Sequence, residues 1–315
     1  MCRCRISPNV YTYNMVIGAF CRVGKLDMAV EVFKKMELKG LASTVVSYNT
    51  LIAGYCSKGL LSSGMKLKDV MERKGVSPSA VTYNTLINAF CKEGKLHEAN
   101  KLLSEMKRMQ LVPTVVTYNT LINGYSESGN TEMGNRLFED MAVTGIKADI
   151  ITYNAVIKGL CKVGKTKKAA YMVKKLDSEK LIPNASTFAA LITGQSVRNN
   201  AGSCFSIYKM MVRSGCHPNE GTFKMLISTF LKNEEYSGAV QVLREMIGRA
   251  IAPDSETLSY LCNGLCQSNR EELAMDLCKE IGSQQLMPED FGNQSSNILS
   301  MGDTRLSPCS LRSSL

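Results

Sequence analysis

The sequence predicts an all-α protein: a right-handed α-solenoid of about eight helix-turn-helix repeats, each 35 residues long. Three observations carry that prediction. Proline or a substitute recurs at a constant spacing of 35, at Pro8, Ser43, Pro78, Pro113, Ala148, Pro183, Pro218, Pro253 and Pro288. The segment that follows recurs with it, as VYTYN, VVSYN, AVTYN, VVTYN and IITYN, then as ASTFA, EGTFK and SETLS. Within each period the apolar residues fall at helical spacing; Tyr83, Leu86, Ile87 and Phe90 stand at i, i+3, i+4 and i+7.

Counting the residue two after each proline as position 1 places repeats at 10–44, 45–79, 80–114, 115–149, 150–184, 185–219, 220–254 and 255–289. Position 3 is always Ser or Thr (Thr12, Ser47, Thr82, Thr117, Thr152, Thr187, Thr222, Thr257) and reads as the N-cap of a first helix. Position 15 is glycine in five repeats (Gly24, Gly59, Gly94, Gly129, Gly164), which suits a left-handed helix stop. Asn199 and Asn269 tolerate that conformation, whereas Glu234 fits it poorly, so repeat 7 is expected to turn differently.

A second helix follows. Its position 20 is small (Ala29, Gly64, Ala99, Gly134, Ala169, Cys204, Ala239, Ala274), which lets two helices approach closely. Position 27 is methionine in six repeats, with Leu176 and Ile281 as exceptions. Such a helix pair cannot bury its own apolar faces. Stacking on its neighbours does so, which predicts one continuous core and a concave groove. Residues 5–9 match positions 31–35, so residues 1–9 read as the end of an upstream repeat, with no targeting segment before it. The Ser- and Asn-rich stretch 290–315 reads as a disordered tail.

The net charge of +10 is unevenly placed. Residues 10–184 hold 25 Lys/Arg against 15 Asp/Glu, while residues 185–315 hold 11 against 13. An anionic partner is therefore expected on the first half. No run of 18 apolar residues exists, so no transmembrane helix and no membrane partner is expected.

Several motifs invite chemistry that their context refuses. Gly159–Thr166, GLCKVGKT, fits the phosphate-loop pattern, but that loop needs a preceding strand and here falls where a first helix ends. Cys21, Cys56, Cys91, Cys161 and Cys266 all occupy position 12, a full repeat or more apart, which suits packing and not a zinc ligand set. Cys262 and Cys266 are placed to share a helix face. His97 and His217 lack the H-x-E context of a zinc deaminase, and Asp290-Phe291-Gly292 lacks every other kinase signature. No enzyme activity, cofactor or metal is expected.

The 35-residue period, the TYN-x-L-I start, the G-K/R turn and the closing G-x-x-P resemble the P-type pentatricopeptide repeat, across residues 10–289. That resemblance implies a single-stranded RNA binder of plant mitochondria, or alternatively chloroplasts, reading one base per repeat. It further implies that positions 5 and 35 select the base and that position 2 sandwiches it. Helical geometry puts positions 2, 5, 9 and 13 on the face away from the core stripe, hence exposed. Position 5 is asparagine five times running, a poor helix former whose amide suits a base edge.

The reading pairs are then Asn14 with Thr44, Asn49 with Ser79, Asn84 with Thr114, Asn119 with Asp149, and Asn154 with Asn184. By the family's code they imply a pyrimidine-rich site, Y-C-Y-U-Y, bound by a monomer. Tyr11, Val46, Val81, Val116 and Ile151 stand at the sandwiching position. Arg22, Lys92 and Lys162 at position 13 are either phosphate contacts or simply solvated cations. Repeats 6 to 8 depart from the pattern: Ala189, Lys224 and Ser259 at position 5, and Ser186, Gly221 and Glu256 at position 2. They are expected to complete the array with weak or no reading, leaving Lys224 as a candidate phosphate contact. The competing expectations are a peptide-binding scaffold and a degenerate, truncated copy of the family.

Overall fold

In the computed structural model, residues 7–283 together with Leu286 and Pro288 are described. The expectations for residues 1–6 and for the 290–315 tail lie outside the described residues. Helices follow in the order α1 (Val10–Arg22), α2 (Leu26–Leu38), α3 (Val45–Ser57), α4 (Leu61–Arg73), α5 (Ala80–Lys92), α6 (Leu96–Arg108), α7 (Val115–Glu127) and α8 (Thr131–Val143). Then come α9 (Ile150–Lys162), α10 (Thr166–Ser178), α11 (Ala185–Val197), α12 (Ala201–Arg213), α13 (Glu220–Lys232), α14 (Tyr236–Ile247), α15 (Ser255–Gln267) and α16 (Glu271–Ser283). The fold is an all-α helical-repeat solenoid, and the described residues contain no strand.

Two units divide the chain, one up to Gly159 and one from Leu160, where repetition alone predicts a single continuous core. In a stack of repeats each element contacts only its sequence neighbours, so cohesion is local. The first unit contains a core of Ile17, Ala29, Phe33, Met36, Tyr48, Leu51 and Met71. The second is built on Tyr208, Phe223, Leu226, Leu243, Met246, Leu261 and Leu277. Each buried Leu, Ile, Phe or Met among them contributes about 2 kcal/mol through removal of apolar surface from water. The small residue at position 20 and the large one at position 27 interlock: Ala29, Met36, Ala99, Met106, Ala169 and Leu176 are all fully buried.

Each first helix begins at position 1, and this corrects the capping assignment. The N-cap is position 35 of the preceding repeat, not the hydroxyl at position 3. Asn9, Asp149, Asn219 and Asp254 accept the N–H of Thr12, Thr152, Thr222 and Thr257 at 3.0, 2.8, 3.0 and 2.6 Å. The position-3 hydroxyl reaches back and accepts the N–H of the cap residue, as Thr82 does from Ser79 at 3.0 Å and Thr117 from Thr114 at 3.0 Å. The two residues thus form a capping box, which satisfies two otherwise orphaned donors.

The turn at position 15 is left-handed in every repeat. Gly24 has φ 75°, Asn199 51°, Asn269 56° and, against expectation, Glu234 58°. Glu234 turns as its glycine counterparts do because the backbone bonds are the same. Its N–H donates to Leu231 O at 3.0 Å and that of Glu235 to Phe230 O at 2.9 Å, as Gly24 and Lys25 donate to Cys21 O and Phe20 O. Buried Phe230 and Ala239 on either side hold the chain in this path, overriding a local strain of about 1 kcal/mol. The phosphate-loop look-alike is one of these turns. Gly159–Lys162 closes α9, Gly164 has φ 71°, and Thr166 opens α10.

Consecutive first helices meet at a small notch. A Cβ added at Gly124 would lie 2.9 Å from Leu96 Cδ2 and 3.1 Å from Cys91 Sγ; one at Gly159 would lie 2.7 Å from Ser126 Oγ, and one at Gly194 2.7 Å from Cys161 Sγ. Cys21, Cys91 and Cys161 therefore pack in this seam. Burial pushes the Cys91 and Cys161 thiols up to about 11. Cys262 and Cys266 stand one turn apart on α15, and Cys262 also meets Cys278 across the α15–α16 pair, with the sulfurs 3.9 Å apart.

Candidate nucleic-acid interface

Positions 2 and 5 lie on the first turn of the first helix, and position 35 caps the first helix of the following repeat. Within the first unit the candidate positions are thereby brought to one edge, where consecutive first helices adjoin. Tyr11, Val46, Val81, Val116 and Ile151 are exposed by between 60% (Val46, Val81) and 72% (Tyr11). Leaving so much aliphatic surface in water at five equivalent places has no packing rationale within the unit that carries them.

The asparagines are not exposed, which corrects the helical-wheel expectation. Asn14, Asn49, Asn84, Asn119 and Asn154 are half-buried. A helical wheel describes one helix alone, whereas the neighbouring repeat covers this flank. Its hydroxyl at position 3 donates to the amide oxygen of the asparagine before it: Thr82 to Asn49 at 2.7 Å, Thr117 to Asn84 at 2.7 Å, and Thr152 to Asn119 at 2.6 Å. The amide nitrogen faces position 35. Asn49 Nδ2 donates to Ser79 Oγ at 3.4 Å, and Asn119 Nδ2 to Asp149 Oδ1 at 3.1 Å.

A threonine hydroxyl that accepts the cap residue's N–H still has one proton to give: the asparagine oxygen takes it from Thr82 and Thr117, whereas Thr152 shares its proton between Asn119 Oδ1 at 2.6 Å and Asp149 Oδ1 at 2.8 Å. Each clasp bond contributes about 1 kcal/mol. One amide N–H and one oxygen lone pair remain free of these bonds. Asp149 fixes the polarity further. Burial pushes its carboxyl up, but hydrogen bonds from the Thr152 N–H and hydroxyl and from the Asn119 amide outweigh this and hold it below the usual carboxylate range. An ionised carboxylate only accepts, so Asn119 must turn its nitrogen towards it.

Repeat 1 differs. Ser47 stands where the others carry threonine, and its hydroxyl bonds locally, to the Thr44 N–H and hydroxyl, both at 3.2 Å. Asn14 Oδ1 is consequently buried without a hydrogen-bond partner. The position-3 hydroxyls were legible in the sequence only as caps. The signal that they do more is that they never vary from hydroxyl, while position 35 varies among Asn, Thr, Ser and Asp.

Models described as PPR repeat family match residues 43–92, 78–124, 113–162 and 148–196, and models described as PPR repeat match 4–37, 186–216 and 221–251. The chain belongs to the PPR repeat family. Among solved structures it is similar to the pentatricopeptide repeat protein PPR10 from maize, with a TM-score of 0.59 and 22% identity over 96% of this chain and 50% of that one. It is also similar to PPR10 in complex with an 18-nt psaJ RNA element, with a TM-score of 0.58 and 21% identity over 88% of this chain and 45% of that one. The chain thus spans about half the length of these structures. No curated protein matches it.

Towards its second unit the PPR chain keeps the scaffold and changes the edge. Lys224 occupies position 5 of repeat 7 and bonds the capping carboxylate, Asp254 Oδ2, at 2.7 Å, with Glu256 Oε2 at 3.7 Å. The hydrogen bond to Asp254 and its charge raise the lysine above its ordinary pKa. Lys224, a candidate phosphate contact, is thus paired with carboxylates where repeats 1 to 5 carry an asparagine. Arg22, Lys92 and Lys162 are exposed at the last residue of α1, α5 and α9, where a basic residue also complements the helix dipole. Among the described residues no three metal-ligating side chains converge, and no helix is long and apolar enough to cross a membrane.

Proposed function

We propose that the chain is a non-catalytic, sequence-selective binder of single-stranded RNA. Repeats 1 to 5 each read one base, and the protein acts in the processing, stabilisation or translation of transcripts in the mitochondrion or chloroplast. The observation that carries this reading is the row of half-buried asparagine amides, each beside an exposed apolar residue at position 2. Asn49, Asn84 and Asn119 are held by a hydroxyl that takes the amide oxygen. The aliphatic flanks accept the faces of a base, and the amide meets its edge. PPR10, whose fold this chain shares, is described in complex with an RNA element. Membership of the PPR family points to organellar RNA.

With Thr44, Ser79, Thr114, Asp149 and Asn184 as the second members, repeats 1 to 5 read Y-C-Y-U-Y. Arg22, Lys92 and Lys162 contact phosphates. The test is fluorescence-anisotropy titration of the chain with a short RNA containing YCYUY and with a purine-substituted control, at several salt concentrations. Preferential binding of the pyrimidine RNA is expected, with a salt slope of about −0.7 for each neutralised phosphate. Asn119→Thr moves the preference at the fourth base from uracil towards guanine. Equal affinity for both RNAs would refute base reading, and no binding by a folded chain would favour a peptide-binding scaffold.

A further inference from the structure

Building on that reading, we propose that the position-3 hydroxyl of the following repeat is a positioning residue for base selection. Thr82, Thr117 and Thr152 orient the amides of Asn49, Asn84 and Asn119, and Ser47 leaves that of Asn14 free to turn. The two ends of an asparagine amide are nearly the same shape but opposite in hydrogen bonding, and only the surroundings decide which faces outward. A donor bound to the oxygen, 2.6 to 2.7 Å away in all three pairs, biases the nitrogen outward. An outward nitrogen presents a donor to the base, and a reversed amide presents an acceptor.

The three pairs are not equally protected. Asn119 is also held through its nitrogen by Asp149, at 3.1 Å, and Asn49 by Ser79, at 3.4 Å. Asn84 makes no such bond to Thr114, so Thr117 is its single side-chain anchor. Asn14 has none, and its oxygen is buried without a partner. Serine lacks the γ-methyl that restricts threonine to few rotamers, and Ser47 turns to the cap residue alone. Dependence on the hydroxyl therefore falls in the order Asn84, Asn49, Asn119, and repeat 1 is the loosest reader.

The experiment uses the full chain and fluorescent YCYUY RNAs carrying single purine substitutions. Thr117→Val keeps the shape and removes the hydroxyl. It is expected to lower pyrimidine-over-purine discrimination at the third base about fivefold, the worth of one hydrogen bond, with a smaller change at the fourth base for Thr152→Val. Thr12→Val is the control: the Thr12 hydroxyl also bonds its cap residue, donating to Asn9 Oδ1 at 3.0 Å, but no position-5 asparagine precedes it in this chain. It should soften the thermal melt as Thr117→Val does and leave every base ratio unchanged. Ser47→Thr should raise discrimination at the first base about fivefold, and this gain does not depend on how well the valine variants fold. If the wild type discriminates while Thr117→Val keeps its ratio, or Ser47→Thr gains none, the positioning role is wrong. A wild type that ignores base identity overturns the base-reading proposal itself, and this inference falls with it.

Discussion

Repeats 1 to 5 and repeats 6 to 8 are built alike and edged differently. Both regions bury an aromatic or leucine at position 4, as in Tyr48, Tyr83, Tyr118, Phe223 and Leu258, and both cap the first helix from position 35. Yet the asparagines give way to Ala189, Lys224 and Ser259, and the exposed aliphatics to Ser186, Gly221 and Glu256. What the two regions share is what a helical repeat needs in order to fold. What separates them includes the edge proposed to meet RNA, beside the lost glycine at position 15 and the lost positive charge. The contrast also disciplines the reading of position 35. Asn219 and Asp254 remain polar where no reader accompanies them, because capping alone requires it. A polar residue there is evidence for a helix start, and becomes evidence for a code only beside an asparagine.

The largest effect should come from attacking the edge on one side of that divide. Asn84→Ala with Asn119→Ala is expected to weaken YCYUY binding about a hundredfold, roughly 3 kcal/mol for two base contacts. The pair Lys224→Ala and Ser259→Ala should stay within about twofold, read by the same anisotropy titration. Comparable losses in both would erase the distinction between reading and supporting repeats.

A second test addresses the shared scaffold, where one slot is filled in two ways. At position 24, repeat 2 buries Lys68, whose ammonium bonds Glu105 at 2.8 Å and Glu72 at 3.0 Å. Repeat 6 buries Tyr208 there, whose hydroxyl donates to Glu245, the counterpart of Glu105. Burial works against the Lys68 charge, but the bonds from Glu105 and Glu72 hold its pKa above the ordinary lysine value. Lys68→Ala, which abandons partly buried carboxylates, is expected to lower unfolding free energy by about 2–3 kcal/mol in urea titration. Tyr208→Phe removes only the hydroxyl and should cost about 1 kcal/mol. A larger loss for the tyrosine would mean that the charged solution is not the one depending on its partner.

The smallest effect is a gain. Glu234→Gly places glycine in the left-handed turn that glycine fills in repeats 1 to 5 and should raise the urea midpoint by the equivalent of about 0.5–1 kcal/mol. An unchanged midpoint would show that Glu234 is unstrained and that repeats 6 to 8 tolerate turns the first five do not.

Helices, turns and the interlocking of positions 20 and 27 were legible because each depends on residues within one repeat. Legibility failed wherever the answer lay in the next repeat. The cap was displaced by three residues because Ser79 and Thr82 both carry hydroxyls, and a capping box looks the same read from either end. Half-burial of Asn49 depends on Thr82, 33 residues on, and the charge pairing of Lys224 on Asp254, 30 residues on. Glu234 is a failure of another kind, since single-residue propensity disfavours its turn while buried Phe230, in the same repeat, holds it.

The glycine notch has a bearing on measurement. A protein that matches one nucleotide to each repeat needs a ruler, and its graduations cannot be the readers themselves, which differ in size from Ser79 to Asp149. A candidate lies in the seam, where Gly124 faces the Cys91 thiol and Gly159 the Ser126 hydroxyl so closely that a methyl would collide. On the proposed reading, fidelity along the strand would then depend on residues of the seam as well as on those at the edge.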